Sequence, residues 1–511
     1  MTATRDGAAG ADSKTGAKTG LALGLIAAFA LARVALAAAL GPGFDESYTI
    51  VVARRLDLSY FDHPPLHQWI AHFAALAFGE GVWTRLPFIA LFAATGWLLF
   101  ALTRRLFDAR AGLVALVAVN LSLFFLASAG GWVVPDGPLL FALAGAALAL
   151  AEVCFGAPTP PAVWGLWLVV GLCLGLAGLS KYSAVLFALS LLAFLVLSPR
   201  QRRWFAHPAP YVAALLALAL ATPVVVWNWQ NDWVSFAFQA HRGAAAGRWR
   251  PEQVGAMILG QIAFLGPWIF APLAAALVEG VRRAVRDERR LFLVCLALPP
   301  ILLFTLTPLW GSRGLPHWPM PGWLFAFPLL GAWLGEPWAA RYRLGRWALA
   351  FTALTAAVAL PVVLQVATGW ATRLVPLPPG AVDPTLEMLD WSALRVAPAL
   401  QGKPAFVVAT RWSEAGKIGL ALGASQPLLI LSGDPRGMAF LDDSGRYVGK
   451  DGVVVVLERR LDETLAAIRP YFDRLDPPQK VTLRRGGRDE VALVAIPAHG
   501  LTRAFALPYP H

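Results

Sequence analysis

The sequence predicts a polytopic α-helical membrane protein that ends in a small α/β domain. Of its 511 residues 58% are hydrophobic and only 14% are charged, whereas soluble domains carry roughly a quarter charged residues. Apolar runs of about 20 residues, the length that crosses a hydrocarbon core of about 30 Å, recur up to residue 368. Beyond that point short β-like runs replace them.

About eleven apolar segments are candidate transmembrane helices, and the distribution of basic residues supports this number. The segments lie near residues 21–40, 86–103, 111–128, 137–155, 162–179, 182–198, 209–227, 254–278, 291–308, 317–335 and 347–368. With the N-terminus inside, every dense arginine cluster between spans falls on the inner side, and the C-terminal region falls outside. These clusters are 103–110, 198–208, 279–290 and 336–346.

The chain divides into a cytoplasmic tail (1–20), a transmembrane domain (21–368) and a C-terminal domain outside the membrane (369–511). In the C-terminal domain strand-like runs alternate with a helix-like run near 411–423, which predicts a small α/β domain. The predicted strands lie near 405–410, 427–431, 452–458, 481–485 and 491–497.

The first outer loop, 41–85, is too long for a simple connector. Residues 45–58 and 64–78 within it have amphipathic spacing, which predicts two helices lying in the interface plane of the membrane. These helices would hold Asp45 and Asp62 at the depth of the lipid headgroups.

The net charge of +12 lies between the spans rather than in one patch. This distribution is typical of membrane topology, because cytoplasmic loops collect Lys and Arg. We therefore expect membrane lipids, and no nucleic acid, among the partners.

Acidic and basic side chains are predicted to meet at the outer ends of the spans. The acids are Asp45, Glu46, Asp62 and Asp136. The accompanying basic and imidazole side chains are His63, Arg85, Lys181, Arg313 and His317. A single acid at a membrane boundary could be a helix cap or a surface charge, but acids in three separate segments favour a shared polar site.

Carboxylates and cations at headgroup depth suit the transfer of a group from a lipid-linked phosphate. A carboxylate can act as general base on an acceptor hydroxyl, and nearby carboxylates stabilise the oxocarbenium-like state of glycosyl transfer. Lys or Arg can bind the phosphate that leaves. A divalent metal ion could assist, with Asp62 and His63 as ligands, although one Asp-His pair is a weak metal signal.

Four motifs carry a resemblance to a known family: DESY (45–48), YFDHPPL (60–66), PDGPLLF (135–141) and LSKYSAVLF (179–187). They resemble those of the bacterial polyprenyl-phosphate-sugar glycosyltransferases of the GT-C class, which are similar to protein O-mannosyltransferases and to the lipid A aminoarabinose transferase. The resemblance covers roughly residues 20–335. It implies a GT-C-like fold, an inverting reaction, a multi-pass protein of the bacterial inner membrane and a periplasmic C-terminal domain.

The resemblance also implies roles for the site residues. Asp45 matches the acid expected to act as catalytic base, and the catalytic candidates are Asp45, Glu46 and Asp136. The candidates for binding the donor phosphate are Lys181, Arg85 and Arg313. The candidates for binding substrate or a metal are Asp62, His63 and His317. The aminoarabinose transferase has Glu-Lys where this chain has Asp62 and His63.

The expected function is transfer of a sugar from a polyprenyl-phosphate donor to a periplasmic acceptor, either lipid A, another glycan or protein. The alternative is a transporter or flippase for lipid-linked sugars, because charges within membranes often mark transport paths. Transporters place such charges near the bilayer midplane and show repeated halves, whereas here the acids cluster at one boundary and no repeat stands out. A structural role with a degenerate membrane part is a third interpretation, against which the intact motif set argues.

Overall fold

The computed structural model describes residues 3–243, 249–311, 314–334, 344–378 and 381–509. Up to residue 374 the described elements are helical, and the C-terminal region carries a six-stranded sheet. The predicted fold class, a polytopic helical membrane protein with a small C-terminal α/β domain, is confirmed.

The helices before the sheet follow the apolar segments of the sequence. They are α1 (Ala3–Ala39), α2 (Phe44–Val52), α3 (Leu66–Phe78), α4 (Leu86–Leu106), α5 (Ala109–Leu121), α6 (Leu123–Leu126), α7 (Ser128–Gly131), α8 (Asp136–Phe155), α9 (Pro160–Ser180), α10 (Ala184–Leu197), α11 (Ala209–Gln230), α12 (Val234–Gly243), α13 (Glu252–Leu265), α14 (Pro267–Ala284), α15 (Glu288–Leu306), α16 (Met320–Leu324), α17 (Ala326–Leu334), α18 (Leu344–Thr368) and α19 (Trp370–Leu374).

Among the described residues, seven helices are long and apolar enough to cross a membrane, or up to nine if each of two bent pairs is one span. Two shorter apolar helices, Ala184–Leu197 and Met320–Leu334, coincide with the remaining predicted segments. Length and composition alone do not confirm the count of eleven.

Two of the predicted spans are broken rather than continuous. The segment predicted near 111–128 turns by 83° between α5 and the short helices α6 and α7, and the segment near 254–278 turns by 111° between α13 and α14. The second break has a clear cause. Gly266 there has a φ of +84°, a value that glycine adopts at no steric cost, and Pro267 follows as the first residue of α14.

Basic segments from different loops meet at one end of the helix bundle. Arg105, at the end of α4, lies 3.0 Å from Glu152 in the last turn of α8. Arg289, at the start of α15, donates to the carbonyl oxygen of Leu106. Arg200 lies 4.0 Å from Glu288, the neighbour of Arg289. The arginines near 105, 200 and 289 therefore share one end of the bundle, the end opposite to Asp136.

The sheet begins after a loop and contains β1 (Phe406–Ala409), β2 (Leu428–Ile430), β3 (Gly452–Leu457), β4 (Phe472–Leu475), β5 (Gln479–Arg485) and β6 (Arg488–Leu501). The helices of this region are α20 (Pro398–Gln401), α21 (Trp412–Leu422) and α22 (Leu461–Ile468). All five predicted strands and the predicted helix are present, while β4, α20 and α22 were not predicted.

The strand order is β2-β1-β3-β6-β4, and β5 also pairs with β6. The first three strands are mutually parallel, with Val407 paired to Leu428 on one side and to Val453 on the other. The long strand β6 is antiparallel to β3, β4 and β5. The carboxyl ends of β1, β2 and β3 therefore lie along one edge of the sheet.

The expectation that residues 45–58 form a helix in the interface plane is wrong. In α2 every residue from Glu46 to Val52 is buried. Tyr48 and Val51 share an apolar core with α21, and Ile50 shares one with Phe88 of α4, so α2 is buried between the C-terminal domain and the membrane helices. By contrast α3 exposes Phe73, Leu76 and Phe78, an apolar face suited to lipid contact.

Candidate active site

A cavity of about 880 Å³ lies where the first outer loop, the span ends and the C-terminal domain meet. Its charged lining residues are Asp45, Asp62, Asp136, Lys181, Arg242, Glu387, Arg411, Glu414, Arg436 and Arg459. His63 and His317 also line it. The structure thus brings together six of the nine side chains that the sequence singled out.

Asp45 is the second residue of α2 and lies in its first turn. Its side chain is open to the cavity, although protein surrounds it on most sides. This burial raises the pKa of Asp45 above its usual value, partly offset by the positive charge of Arg436. A carboxylate with a raised pKa is a stronger proton acceptor than an ordinary surface aspartate.

Asp62 is 5% exposed and lies deeper than Asp45. Its Oδ2 atom is 3.8 Å from the guanidinium of Arg436, and burial raises its pKa to about 6. Its Oδ1 atom has no hydrogen-bond partner among the described residues. Because a buried carboxylate oxygen without a partner is costly, this atom is suited to bind a ligand in the cavity.

The histidines of the cavity are neutral at physiological pH. Burial lowers the pKa of His63 well below its usual value and lowers the pKa of His317 to about 4. The neighbouring His67 is also buried, and its pKa falls to about 3. A neutral imidazole can donate or accept a hydrogen bond, but it cannot serve as a fixed cation for a phosphate.

Asp136 and Lys181 form an ion pair at the outer ends of two neighbouring spans. Asp136 is the first residue of α8, and Lys181 follows the last residue of α9. The Lys181 Nζ atom lies 3.0 Å from Oδ1 and 3.2 Å from Oδ2 of Asp136. Both side chains line the cavity, so the lysine is held at the point where the membrane region meets the outer loop.

Glu46 and Arg85 do not line the cavity, and their catalytic and phosphate-binding roles stay predictions. They form a buried ion pair at 2.6 Å, with side chains 1% and 2% exposed. Arg85 also donates to the carbonyl oxygens of Leu40 and Gly41, and Glu46 accepts from the backbone nitrogen of Val133. The pair joins the end of α1 to the outer loop, a contact suited to a supporting role. Arg313 lies outside the described residues.

Three arginines of the C-terminal domain line the cavity and were not among the site residues predicted from the sequence. Arg411 follows β1, Arg436 lies after β2 and Arg459 lies after β3. Ligands of open α/β sheets bind beyond the carboxyl ends of parallel strands, so the sequence did contain a signal for these positions. The guanidinium of Arg436 stacks 4.0 Å above the ring of Trp412, which fixes its position over the cavity.

Arg242, near the end of α12, is the fourth arginine of the lining that was not predicted. Its guanidinium lies 5.5 Å from the ring centres of both Phe238 and Trp318. Across the cavity, five acids therefore face four arginines and a lysine. This balance allows several carboxylates to remain charged in one enclosed space.

A metal site is not evident in the part of the chain that the structure describes. No group of three or more His, Cys, Asp or Glu side chains there is arranged to hold a metal ion. Metal binding by Asp62 and His63 stays a prediction.

Comparisons with known proteins agree with this architecture. The family model "Dolichyl-phosphate-mannose-protein mannosyltransferase" matches residues 62–227. The crystal structure of ArnT from Cupriavidus metallidurans superimposes with a TM-score of 0.66 and 16% sequence identity, over 94% of this chain and 98% of that chain. The chain has the fold of ArnT. The predicted GT-C-like architecture and the resemblance to this class of transferases are thereby confirmed.

One further relative and a second structure of ArnT are also similar to this chain. Lipid A galacturonosyltransferase RgtD from Rhizobium johnstonii is 28% identical over 311 residues, which is 57% of this chain and 60% of RgtD. The chain thus matches less than two thirds of the length of that relative. A second structure of ArnT, bound to undecaprenyl phosphate, superimposes with a TM-score of 0.64 at 16% identity and covers 92% of this chain and 97% of that chain. The comparisons give no support to the flippase alternative.

Proposed function

We propose that this chain is a membrane glycosyltransferase that moves a sugar from a polyprenyl-phosphate donor to an acceptor at the outer face of the membrane. The observation that carries the proposal is the single cavity in which Asp45, Asp62 and the Asp136–Lys181 pair meet at the ends of the spans. The ArnT structure with undecaprenyl phosphate and the name of RgtD support a lipid-linked donor.

In the proposed reaction Asp45 takes the proton of an acceptor hydroxyl as the acceptor oxygen bonds to the anomeric carbon of the sugar. The bond from that carbon to the phosphate oxygen breaks on the opposite face, so the configuration inverts. The electron pair leaves with polyprenyl phosphate, whose charge Lys181 stabilises. The raised pKa of Asp45 suits it to accept the proton.

Asp62, His63 and His317 are proposed to orient the sugar. The Oδ1 atom of Asp62 and the Nδ1 atom of His63 are buried and have no hydrogen-bond partner among the described residues. Sugar hydroxyls would satisfy both atoms, because a hydroxyl can donate to one and accept from the other.

The acceptor is proposed to enter beneath the C-terminal domain, where Arg411, Arg436 and Arg459 line the cavity. Guanidinium groups bind phosphate and carboxylate with paired hydrogen bonds. Of the three acceptor classes, the three arginines favour lipid A over a neutral glycan or a protein hydroxyl. The relative RgtD is likewise named as a lipid A transferase.

We further infer that the chain lies in the bacterial inner membrane with the C-terminal sheet in the periplasm. The arginine-rich ends of the helices lie opposite to the cavity, as the contacts of Arg105 and Arg289 indicate, and such ends face the cytoplasm. A cysteine introduced at the exposed residue Glu463 should react with a membrane-impermeant maleimide in spheroplasts. A cysteine at the exposed residue Arg202 should react only after lysis.

The central test replaces Asp45 by asparagine, with Asp232→Asn as the matched control. Asp232 is exposed and has a φ of 52°, which asparagine tolerates well. Transfer is measured in proteoliposomes with lipid A as acceptor and labelled undecaprenyl-phosphate galacturonic acid as donor, the sugar being taken from the name of RgtD. We expect the Asp45 variant to lose about a hundredfold or more in rate and the control to match wild type. Undiminished transfer by a correctly inserted Asp45→Asn protein would show that Asp45 is not the base.

A further inference from the structure

A second large cavity lies at the opposite end of the helix bundle. It has a volume of about 1040 Å³ and is lined by residues 154–156, by parts of 197–203 and by parts of 284–291. Asp136 of the first cavity and Cys154 of the second belong to the same helix, α8. At 1.5 Å per residue they are about 27 Å apart along its axis, so the two cavities open toward opposite faces of the membrane.

The lining of the second cavity is basic. It contains Arg200, Arg203, Arg286 and Arg289, together with two acids, Asp287 and Glu288. All four arginines are exposed. The cavity therefore presents an excess of positive charge to a ligand.

Both acids of this cavity are engaged by neighbouring groups. The carboxylate of Asp287 accepts from the backbone nitrogen of Arg289 and from the side chain of Arg290, each at 3.0 Å. The carboxylate of Glu288 accepts from the hydroxyl of Ser198 at 2.7 Å. Glu288 also lies 4.0 Å from Arg200, and Arg289 donates to the carbonyl oxygen of Leu106. The acids are thus satisfied within the protein, and Arg203 and Arg286 are the arginines that an external anion would meet first.

The rim of the cavity is apolar. Val285 is 94% exposed and Leu197 is 57% exposed, while Phe155 and Leu291 contribute half-buried surface to the walls. Exposed aliphatic side chains beside arginines at span ends match a ligand that has both an anionic group and hydrocarbon chains. A small soluble anion would gain nothing from this rim.

We propose that this cavity binds the phosphate headgroup of an anionic phospholipid from the leaflet opposite to the Asp45 cavity. Basic pockets between transmembrane helices on the cytoplasmic side bind such headgroups. The arginines would contact the phosphate, and the acyl chains would run along Leu197 and Val285. The positive-inside rule explains why basic residues lie on this side of the membrane. It does not explain why three separate chain segments form a concave site there.

The test uses the full-length protein in nanodiscs of phosphatidylcholine, with and without phosphatidylglycerol. Retained phosphatidylglycerol is counted by native mass spectrometry for wild type, for Arg203→Gln/Arg286→Gln and for the control Arg104→Gln/Arg346→Gln. Arg104 and Arg346 are exposed residues of α4 and α18 that do not line the cavity. The control removes the same charge as the test variant. A further arm adds glycerol 3-phosphate, which has the phosphate without the acyl chains.

We expect the cavity variant to bind phosphatidylglycerol about tenfold or more weakly, with the control close to wild type and glycerol 3-phosphate unable to compete. Equal retention by the cavity variant and wild type, or equal loss in the control, would overturn the proposal. Competition by glycerol 3-phosphate at a concentration similar to that of phosphatidylglycerol would also overturn the proposal, because the ligand would then be a soluble phosphate. Because the readout is lipid retention, the result is independent of whether the Asp45 cavity transfers a sugar.

Discussion

Gly416 of α21 lies directly against Tyr48 of α2, with no space for a side chain between the two helices. A Cβ atom built on Gly416 would be 2.5 Å from the backbone nitrogen of Tyr48, and one built on Gly419 would be 2.9 Å from the side chain of Val51. The hydroxyl of Tyr48 also accepts from the backbone nitrogen of Gly437 at 2.8 Å. The C-terminal domain therefore fixes the helix that carries Asp45.

The first prediction concerns this contact. Gly416→Ala should push α21 away from α2, lower the melting temperature and reduce transfer, because the atom that Cβ would meet is backbone and cannot move aside easily. Overpacking of this kind costs about 1–3 kcal/mol. Thermal unfolding in detergent and transfer activity are measured on the same preparation.

The control for this variant is Gly255→Ala. Gly255 lies within α13, and a Cβ atom added there would have no other atom within 4 Å. Alanine favours a helix over glycine by up to about 1 kcal/mol, so the control should be neutral or slightly stabilised. A Gly416→Ala protein as stable and active as wild type would show that the two helices can separate without effect on Asp45.

The second prediction separates the two members of the Asp136–Lys181 pair. Lys181→Met should weaken binding of undecaprenyl phosphate about tenfold or more, because it removes a charge-assisted hydrogen bond to the phosphate. Asp136→Asn keeps the lysine and removes the carboxylate that competes with the phosphate, so it should strengthen binding. Binding is measured by the change in tryptophan fluorescence on titration.

Undecaprenol, which lacks the phosphate, is the matched ligand for this experiment. It should bind equally to wild type and to both variants. If Lys181→Met and Asp136→Asn weaken the binding of undecaprenyl phosphate to the same extent, the pair has a structural role and the lysine does not contact the donor.

The third prediction is a pH dependence of stability due to Asp62. Its pKa is about 6 in the folded protein and close to 3.8 when unfolded, so between these values only the folded state holds the proton. Asp62 therefore stabilises the fold less as the pH rises, by about 2 kcal/mol between pH 4 and pH 7 and by about 0.8 kcal/mol between pH 5.5 and pH 7.5. Melting temperatures of wild type and Asp62→Asn are compared at pH 7.5 and pH 5.5.

The difference in melting temperature between the two proteins isolates the contribution of Asp62. His63 and His67 have lowered pKa values, so they destabilise the fold on acidification, but they do so in both proteins. On acidification wild type should gain stability relative to Asp62→Asn. A constant difference in melting temperature across this pH range would contradict the raised pKa.

The fourth prediction tests the supporting role of Arg85. Arg85→Met leaves Glu46 charged and buried without its partner, which should cost about 3–5 kcal/mol of stability. The double variant Glu46→Gln/Arg85→Met should recover much of the loss, since no unpaired charge remains. Melting temperature and yield in membranes are the readouts. A stable Arg85→Met protein with a raised KM for the donor would instead return Arg85 to the phosphate site.

Much of the fold could be predicted because bilayers impose a simple rule on sequence. Each span must be apolar over about 20 residues, and basic loops must lie on one side, so segments such as 137–155 and 209–227 were placed almost to the residue. The breaks at Ser122 and Gly266 could not be predicted, because a bent pair and a straight span have the same hydropathy. The edge strand β4, in which two of four residues are exposed, was missed because its apolar content is low.

Hydropathy, charge and motif spacing predict that this protein crosses the membrane many times, ends in a sheet domain and carries Asp45, Asp62, Asp136 and Lys181 at one boundary. They do not predict that Glu46 forms a buried ion pair with Arg85, or that Arg436 of the C-terminal domain lies over the cavity. The physical reason is that hydropathy and charge fix the depth of a residue in the membrane, whereas its neighbours at that depth depend on how the helices and the sheet pack.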